Sequence, residues 1–209
     1  MSEFRYPPPF IIKLGRMIAL CVSKPLWFIK FEGVENIPPP SLGPVVVAAN
    51  HQTYMDPVWL SIPLKGRKLR FMAFDVAFGW PIVGPLIRFL GAFPVALSGS
   101  RAKIAYKESL TSLRAGATLI IFPEGAREFE DGQLLPFREG AARIALAAGV
   151  PVLPATISGG NLIWPQDRKF PRFFRRVTIR YHPPIIDGVS RKDDKRVLLN
   201  AIRDAISDQ

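Results

Sequence analysis

The chain has 209 residues, of which 48% are hydrophobic and 22% charged. That balance excludes an integral membrane protein and a disordered chain, and it suits one large domain with a substantial core. Lys and Arg number 28 against 17 Asp and Glu, a formal net charge of +11, so the surface attracts polyanions such as nucleic acid, anionic lipid headgroups or a phosphorylated cofactor.

Residues 1–10 lack the basic region and unbroken apolar region of a signal peptide. From Phe10 to Phe31 the chain is apolar but interrupted by Lys13, Arg16, Lys24 and Lys30, and Pro25 breaks the helical pattern. It is too charged to span a bilayer. Two readings fit: a helix lying among lipid headgroups, or a helix docked on the domain's own core through an amphipathic face. Cys21, the one cysteine, excludes an internal disulfide and reads as a small buried hydrophobe. With no Cys/His cluster, no metal site is expected. The expected division is an N-terminal amphipathic segment at 1–27, membrane-interfacial on the first of these readings, and one domain at 28–209.

The proline clusters Pro7-Pro8-Pro9 and Pro38-Pro39-Pro40 punctuate the start of the chain. Beyond them, strand-like runs are expected at 45–49, 69–73, 92–96, 118–122, 151–157 and 176–182, with a short one near 28–34. Helical patterns fall at 57–63, 76–90, 101–115, 138–148 and 191–206. The stretch from Val76 to Leu97 holds one charge, Arg88, yet its Gly and Pro residues predict short bent helical pieces rather than one helix. Its apolar surface either fills the core or faces a lipid chain. Gly149 and Pro151 stop the helix before them, and Ser190 with Asp193 forms a capping pair for the last helix. Alternating strands and helices predict a single α/β domain, its mostly parallel or mixed sheet flanked by helices.

Two strand ends carry complementary polar residues. The run Val45 to Ala49 ends in Asn50-His51-Gln52-Thr53-Tyr54-Met55-Asp56, and Thr118 to Ile121 ends in Phe122-Pro123-Glu124-Gly125-Ala126-Arg127. Open α/β sheets keep their chemistry outside the carboxyl ends of their strands. On one helix His51 and Asp56 point about 140° apart; at a strand-to-helix turn Asp56 can swing back beneath the imidazole, with Pro57 marking the helix start. The plainer reading is that Asp56 caps a helix and His51 sits in an ordinary loop. As a pair, Asp56 fixes the tautomer and His51 removes a proton. The Gly-x-Ser-x-Gly nucleophile pattern is absent, and Ser158-Gly159-Gly160 reads as a loop after a strand. The base would then activate a substrate hydroxyl towards an activated acyl group such as a thioester. Gly125 lets backbone N–H groups approach an anion, Arg127 offers a planar fork for phosphate or carboxylate, and Glu124 either accepts substrate hydroxyls or holds Arg127. A surface turn with a local ion pair is the plainer reading.

In order and spacing, Asn50-His51 with Asp56, Phe122 to Arg127, and Gly149-Val150-Pro151-Val152-Leu153-Pro154 resemble the glycerolipid acyltransferases, the 1-acylglycerol-3-phosphate and lysophospholipid acyltransferases, over roughly residues 28 to 185. The resemblance implies that His51 is the general base and Asp56 its partner, and that Glu124, Gly125 and Arg127 bind the acceptor. It implies acyl-CoA or acyl carrier protein as donor, a lyso-lipid as acceptor, and no separate cofactor. It also implies a peripheral enzyme on the cytoplasmic face of a membrane. One departure stands out: where many members carry an acidic residue and a phosphate-contacting arginine, this chain has Ala96 and Leu97. Arg101 lies just beyond as a substitute, and an aminolipid or glycolipid acceptor becomes an alternative to lysophosphatidic acid.

Between Trp164 and Tyr181, Arg168, Lys169, Arg172, Arg175, Arg176 and Arg180 interleave with Phe170, Phe173 and Phe174. Such a mixture suits an anionic lipid surface, or single-stranded nucleic acid, or solvated cations over inward-turned rings. The non-enzymatic alternatives are a basic nucleic-acid-binding domain and an inactive lipid-binding relative. The first leaves His51, Asp56 and the Glu124 turn without a role, so no nucleic-acid partner is expected. His182 ends a strand and is given no chemistry.

Overall fold

Strands buried on both faces read as continuous apolar runs, and here such runs stack into a sheet. The computed structural model describes residues 4–96, 99–128, 131–165, 167–168, 170–186 and 194–207. Among them, β1 (Lys30–Glu32), β2 (Val46–Ala49), β3 (Leu69–Phe74), β4 (Ala92–Val95), β5 (Thr118–Ile121), β6 (Val152–Ser158) and β7 (Thr178–Tyr181) form one sheet in the order β1-β7-β6-β2-β5-β3-β4. Five strands, β6-β2-β5-β3-β4, run parallel. β7 joins β6 antiparallel and β1 follows β7 in parallel, so the sheet is mixed. All seven expected strands are present.

Side chains along the strands alternate between two cores. Val45, Val47 and Ala49 meet Trp27 of α1 (Pro9–Trp27) and Trp59 and Leu60 of α2 (Asp56–Ser61). Val46, Ala48, Leu119 and Ile121 meet α4 (Gly99–Arg114), α5 (Gly140–Ala148) and α6 (Lys195–Ser207) on the other face. The Val76-to-Leu97 stretch resolves into a 3-10 turn at Asp75–Gly79, α3 (Val83–Phe89) and β4, the broken pattern its glycines and prolines predict. The proposed Ser190–Asp193 cap lies outside the described residues.

The N-terminal segment departs from expectation in two ways. α1 runs through Pro25 to Trp27; a proline two residues from the last helical position removes one backbone bond in the final turn, which the docked end tolerates. Cys21 is exposed rather than buried, because α1 has two apolar faces. Its inner face seats Trp27 against Trp59, ring centroids 5.6 Å apart, and Ser23 accepts a hydrogen bond from Trp59 Nε1 at 2.9 Å. Its outer face leaves Phe10, Leu14, Met17, Ile18 and Val22 exposed. Among the described residues no helix is long and apolar enough to cross a membrane.

Candidate active site

Register places the site. β2 pairs with β5 and β6 in parallel, so the segments following Ala49, Ile121 and Ser158 all emerge at one edge of the sheet. Asn50 locks the first of these to the third: its Nδ2 donates to Ile157 O at 2.8 Å, and its Oδ1 accepts from Ile157 N at 2.7 Å. Gln52 Oε1 accepts from Gly160 N at 2.8 Å, which makes the Ser158-to-Gly160 loop a support for the His51 turn.

His51 and Asp56 come together across that turn. His51 Nδ1 lies 2.8 Å from Asp56 Oδ2. The carboxylate is fully buried and also accepts Gln52 N at 2.6 Å, Thr53 N at 2.8 Å and Thr53 Oγ1 at 2.6 Å. An ionised carboxylate only accepts, so Nδ1 carries the imidazole proton and Nε2 is left as the basic nitrogen. α2 starts at Asp56 itself, one residue earlier than Pro57 suggests. Phe122 stacks on the imidazole at 4.0 Å, fixing the ring plane.

Glu124 behaves differently from both of its expected roles. Its Oε1 accepts His51 N at 2.7 Å and its Oε2 accepts Leu135 N at 2.8 Å, and the residue is 3% exposed. Glu124 therefore ties two loops together instead of presenting an open carboxylate or holding Arg127. Burial pushes its carboxyl up to about 7; the two amide donors pull it down, and Glu128 and Asp56 add to the rise. Glu128 reinforces the tie, its N–H donating to His51 O at 2.8 Å. Its carboxylate accepts the amides of Asp131 and Gly132 at 3.0 and 2.9 Å. Gly125 adopts the left-handed φ of 66° that the tight turn requires, its N–H bonded to Phe122 O at 3.1 Å.

Arg127 is half-buried, with its guanidinium carbon 3.4 Å from the Tyr54 ring centroid. Burial lowers its pKa, offset in part by Tyr54 and Asp56. Tyr54 in turn meets Trp80 and Trp164 edge-on, at 5.7 and 5.3 Å. This aromatic wall escapes sequence reasoning, although Tyr54 sits between the two motif residues and was a visible signal. Arg101 lies at the same sheet edge, beyond β4, exposed and ion-paired to Asp75. His182, one residue past the end of β7, places its Nε2 2.7 Å from Thr156 Oγ1, away from this constellation. Among the described residues no group of three or more His, Cys, Asp or Glu could hold a metal ion.

The acyltransferase family model matches residues 28–158, more than half of the chain. The chain belongs to the acyltransferase family. That acyltransferase match contains His51, Asp56, Arg101, Glu124, Gly125 and Arg127, while all of α1, β7 and α6 lie outside it. The chain is 32% identical over 177 residues to the chloroplastic 1-acyl-sn-glycerol-3-phosphate acyltransferase LPAT1 of Arabidopsis thaliana, covering 84% of this chain and 48% of that protein. It is 31% identical over 172 residues to the 1-acyl-sn-glycerol-3-phosphate acyltransferase of Pseudomonas aeruginosa, covering 78% of this chain and 62% of that one. The chain thus spans about half the length of the curated relatives that match it over most of its own. The crystal structure of the 1-acyl-sn-glycerophosphate acyltransferase PlsC from Thermotoga maritima superimposes with a TM-score of 0.77 at 29% identity, covering 94% of this chain and 77% of that one. The mixed α/β acyltransferase sheet is common to both.

Proposed function

We propose that the protein transfers a fatty acyl group from acyl-CoA or acyl carrier protein to the free hydroxyl of a lyso-lipid, with lysophosphatidic acid the leading acceptor. The observation that carries this reading is the 2.8 Å contact between His51 Nδ1 and a buried Asp56 at the carboxyl edge of the sheet. The relatives named 1-acyl-sn-glycerol-3-phosphate acyltransferases support the choice of acceptor.

In this mechanism His51 Nε2 takes the acceptor's hydroxyl proton as its oxygen attacks the thioester carbonyl. Asp56 balances the imidazolium that forms. The C–O bond closes to a tetrahedral oxyanion, the C–S bond then breaks, and the imidazolium returns its proton to the departing thiolate. The amides of His51, Gln52, Thr53 and Gly125 are already engaged. In this reading, oxyanion stabilisation is assigned to the backbone N–H groups of Glu124 and Ala126 in the turn. Arg127 supplies positive charge for the acceptor phosphate. The outer face of α1 and the net positive charge support a peripheral location on an anionic, cytoplasmic-facing membrane surface.

The test is a panel of lyso-lipid acceptors, each with acyl-CoA and with acyl carrier protein, read by product mass. Product from lysophosphatidic acid is expected, and His51→Ala should lower the rate by about 10²–10⁴, the range of general-base assistance. An unchanged rate in that variant removes His51 from the chemistry. No product from any combination overturns the reading.

A further inference from the structure

Phe28 and Phe174 are the two non-glycine residues with positive φ among the described residues, at 42° and 57°. L-residues with a Cβ avoid this left-handed region, and a bulky side chain there signals a conformation imposed by its surroundings. The surroundings are firm. Phe174 N donates to Leu26 O at 2.6 Å, Val177 N to Trp27 O at 3.1 Å, and Trp27 Nε1 to Arg172 O at 2.9 Å. Yet the two rings gain little inside the molecule: they lie 6.4 Å apart and are 51% and 68% exposed. The fold thus holds two phenylalanines in disfavoured backbone and directs both into solvent. Strain retained where it brings no internal packing points to a function outside the fold.

Their position is informative. Thr178 pairs with Lys30 on one side and with Ser158 on the other. The starts of β1 and β7 therefore lie at the edge where β6 ends, which is also the edge carrying His51 and Glu124. The neighbouring charge is one-sided: from Trp164 to Tyr181 five arginines stand against one acid, Asp167, and Arg175 and Arg176 are exposed.

We propose that Phe28 and Phe174 form an aromatic knuckle that inserts into the interface of an anionic lipid bilayer, with Arg175 and Arg176 meeting the headgroup phosphates. Rings enter the acyl boundary while guanidinium groups stay at headgroup level. The knuckle works alongside the outer face of α1 and sets the carboxyl edge of the sheet against the lipid. Its use rests on the acyl-transfer reading, because a lyso-lipid acceptor resides in that layer; the contact itself is measured without turnover.

The experiment is co-sedimentation of the full chain with vesicles of phosphatidylcholine alone or mixed with phosphatidylglycerol. Glycine accepts left-handed φ without a Cβ clash, so the double variant Phe28→Gly/Phe174→Gly should keep its thermal midpoint or raise it. Its partitioning onto mixed vesicles should fall by about tenfold or more. Acyl transfer between water-soluble short-chain substrates should stay within about twofold of the parent. Arg175→Gln/Arg176→Gln should weaken binding to mixed vesicles and leave the phosphatidylcholine arm unchanged. Unchanged vesicle binding in the glycine variant overturns the proposal. So does a thermal midpoint that falls together with binding, which would make the rings structural. Wild-type protein that ignores vesicles but binds a single-stranded oligonucleotide through these residues overturns it as well. Vesicle binding without any acyl transfer would sink the reaction and leave the docking surface standing.

Discussion

Arg127 lies over the face of Tyr54 at 3.4 Å, and Tyr54 is met edge-on by Trp80 and Trp164. A cation above an aromatic face is held by the ring quadrupole, with about 0.5–2 kcal/mol depending on desolvation. Four loops meet here: Tyr54 follows β2, Trp80 follows β3, Arg127 follows β5 and Trp164 follows β6. In the proposed acyl transfer, where Arg127 meets the acceptor, this contact would make Tyr54 a positioning residue acting through its ring rather than its hydroxyl. Tyr54→Phe should keep the acceptor KM within about twofold. Tyr54→Leu should raise it by roughly threefold to thirtyfold, since 1.4 kcal/mol is a factor of ten, and leave the donor KM unmoved. Steady-state kinetics with each substrate varied in turn decides this. Equal damage from Phe and Leu would assign the role to the hydroxyl instead.

At the scale of elements, the site depends on how strand ends are tied across the sheet edge. Asn50 sits just past β2, and its side-chain amide satisfies both backbone groups of Ile157 on β6. Removing it leaves a buried N–H and a buried C=O without partners, at about 1–3 kcal/mol each before any relaxation. Asn50→Ala should lower stability by about 2–4 kcal/mol in urea unfolding. Activity should fall too, because the His51 turn loses its anchor to β6. Full stability in that variant would show that water replaces the amide at no cost. The strands were legible because their signals are local: β2, β5 and β6 are short apolar runs bounded by turn residues, and each was expected within a residue or two of where it lies. The His51–Asp56 pair was legible because a strand-to-helix turn fixes its geometry. Glu124 was not, since its partners depend on how a loop reaching Leu135 folds back, and nothing near Glu124 in sequence encodes that contact. Cys21 was misread for a related reason: α1 is apolar on both faces, and hydrophobicity alone does not say which face turns outward.

For the whole molecule, the buried carboxylate of Glu124 couples folding to pH. Its carboxyl is pushed up to about 7 in the folded state, chiefly by burial, whereas an unfolded chain releases that proton near 4.3. Between these values the folded protein holds a proton that the unfolded chain has lost, so stability falls as pH rises through this window and levels off above about 7. A shift of this size corresponds to up to ~4 kcal/mol, at 1.36 kcal/mol per pKa unit. Other groups titrate over the same range, so the contribution is isolated by comparison with Glu124→Gln, which keeps the shape and cannot ionise. At pH 5 wild-type Glu124 is protonated and resembles glutamine, with one oxygen still free to accept an amide. By pH 7.5 it is ionised in its buried site, and the wild type should have lost ground to the variant. Urea midpoints of both proteins at pH 5 and pH 7.5 give the answer directly. A wild-type-minus-variant difference that does not change between the two pH values would mean that the His51 and Leu135 amides, 2.7 and 2.8 Å away, fully compensate the buried charge, and Glu124 would then stay ionised throughout.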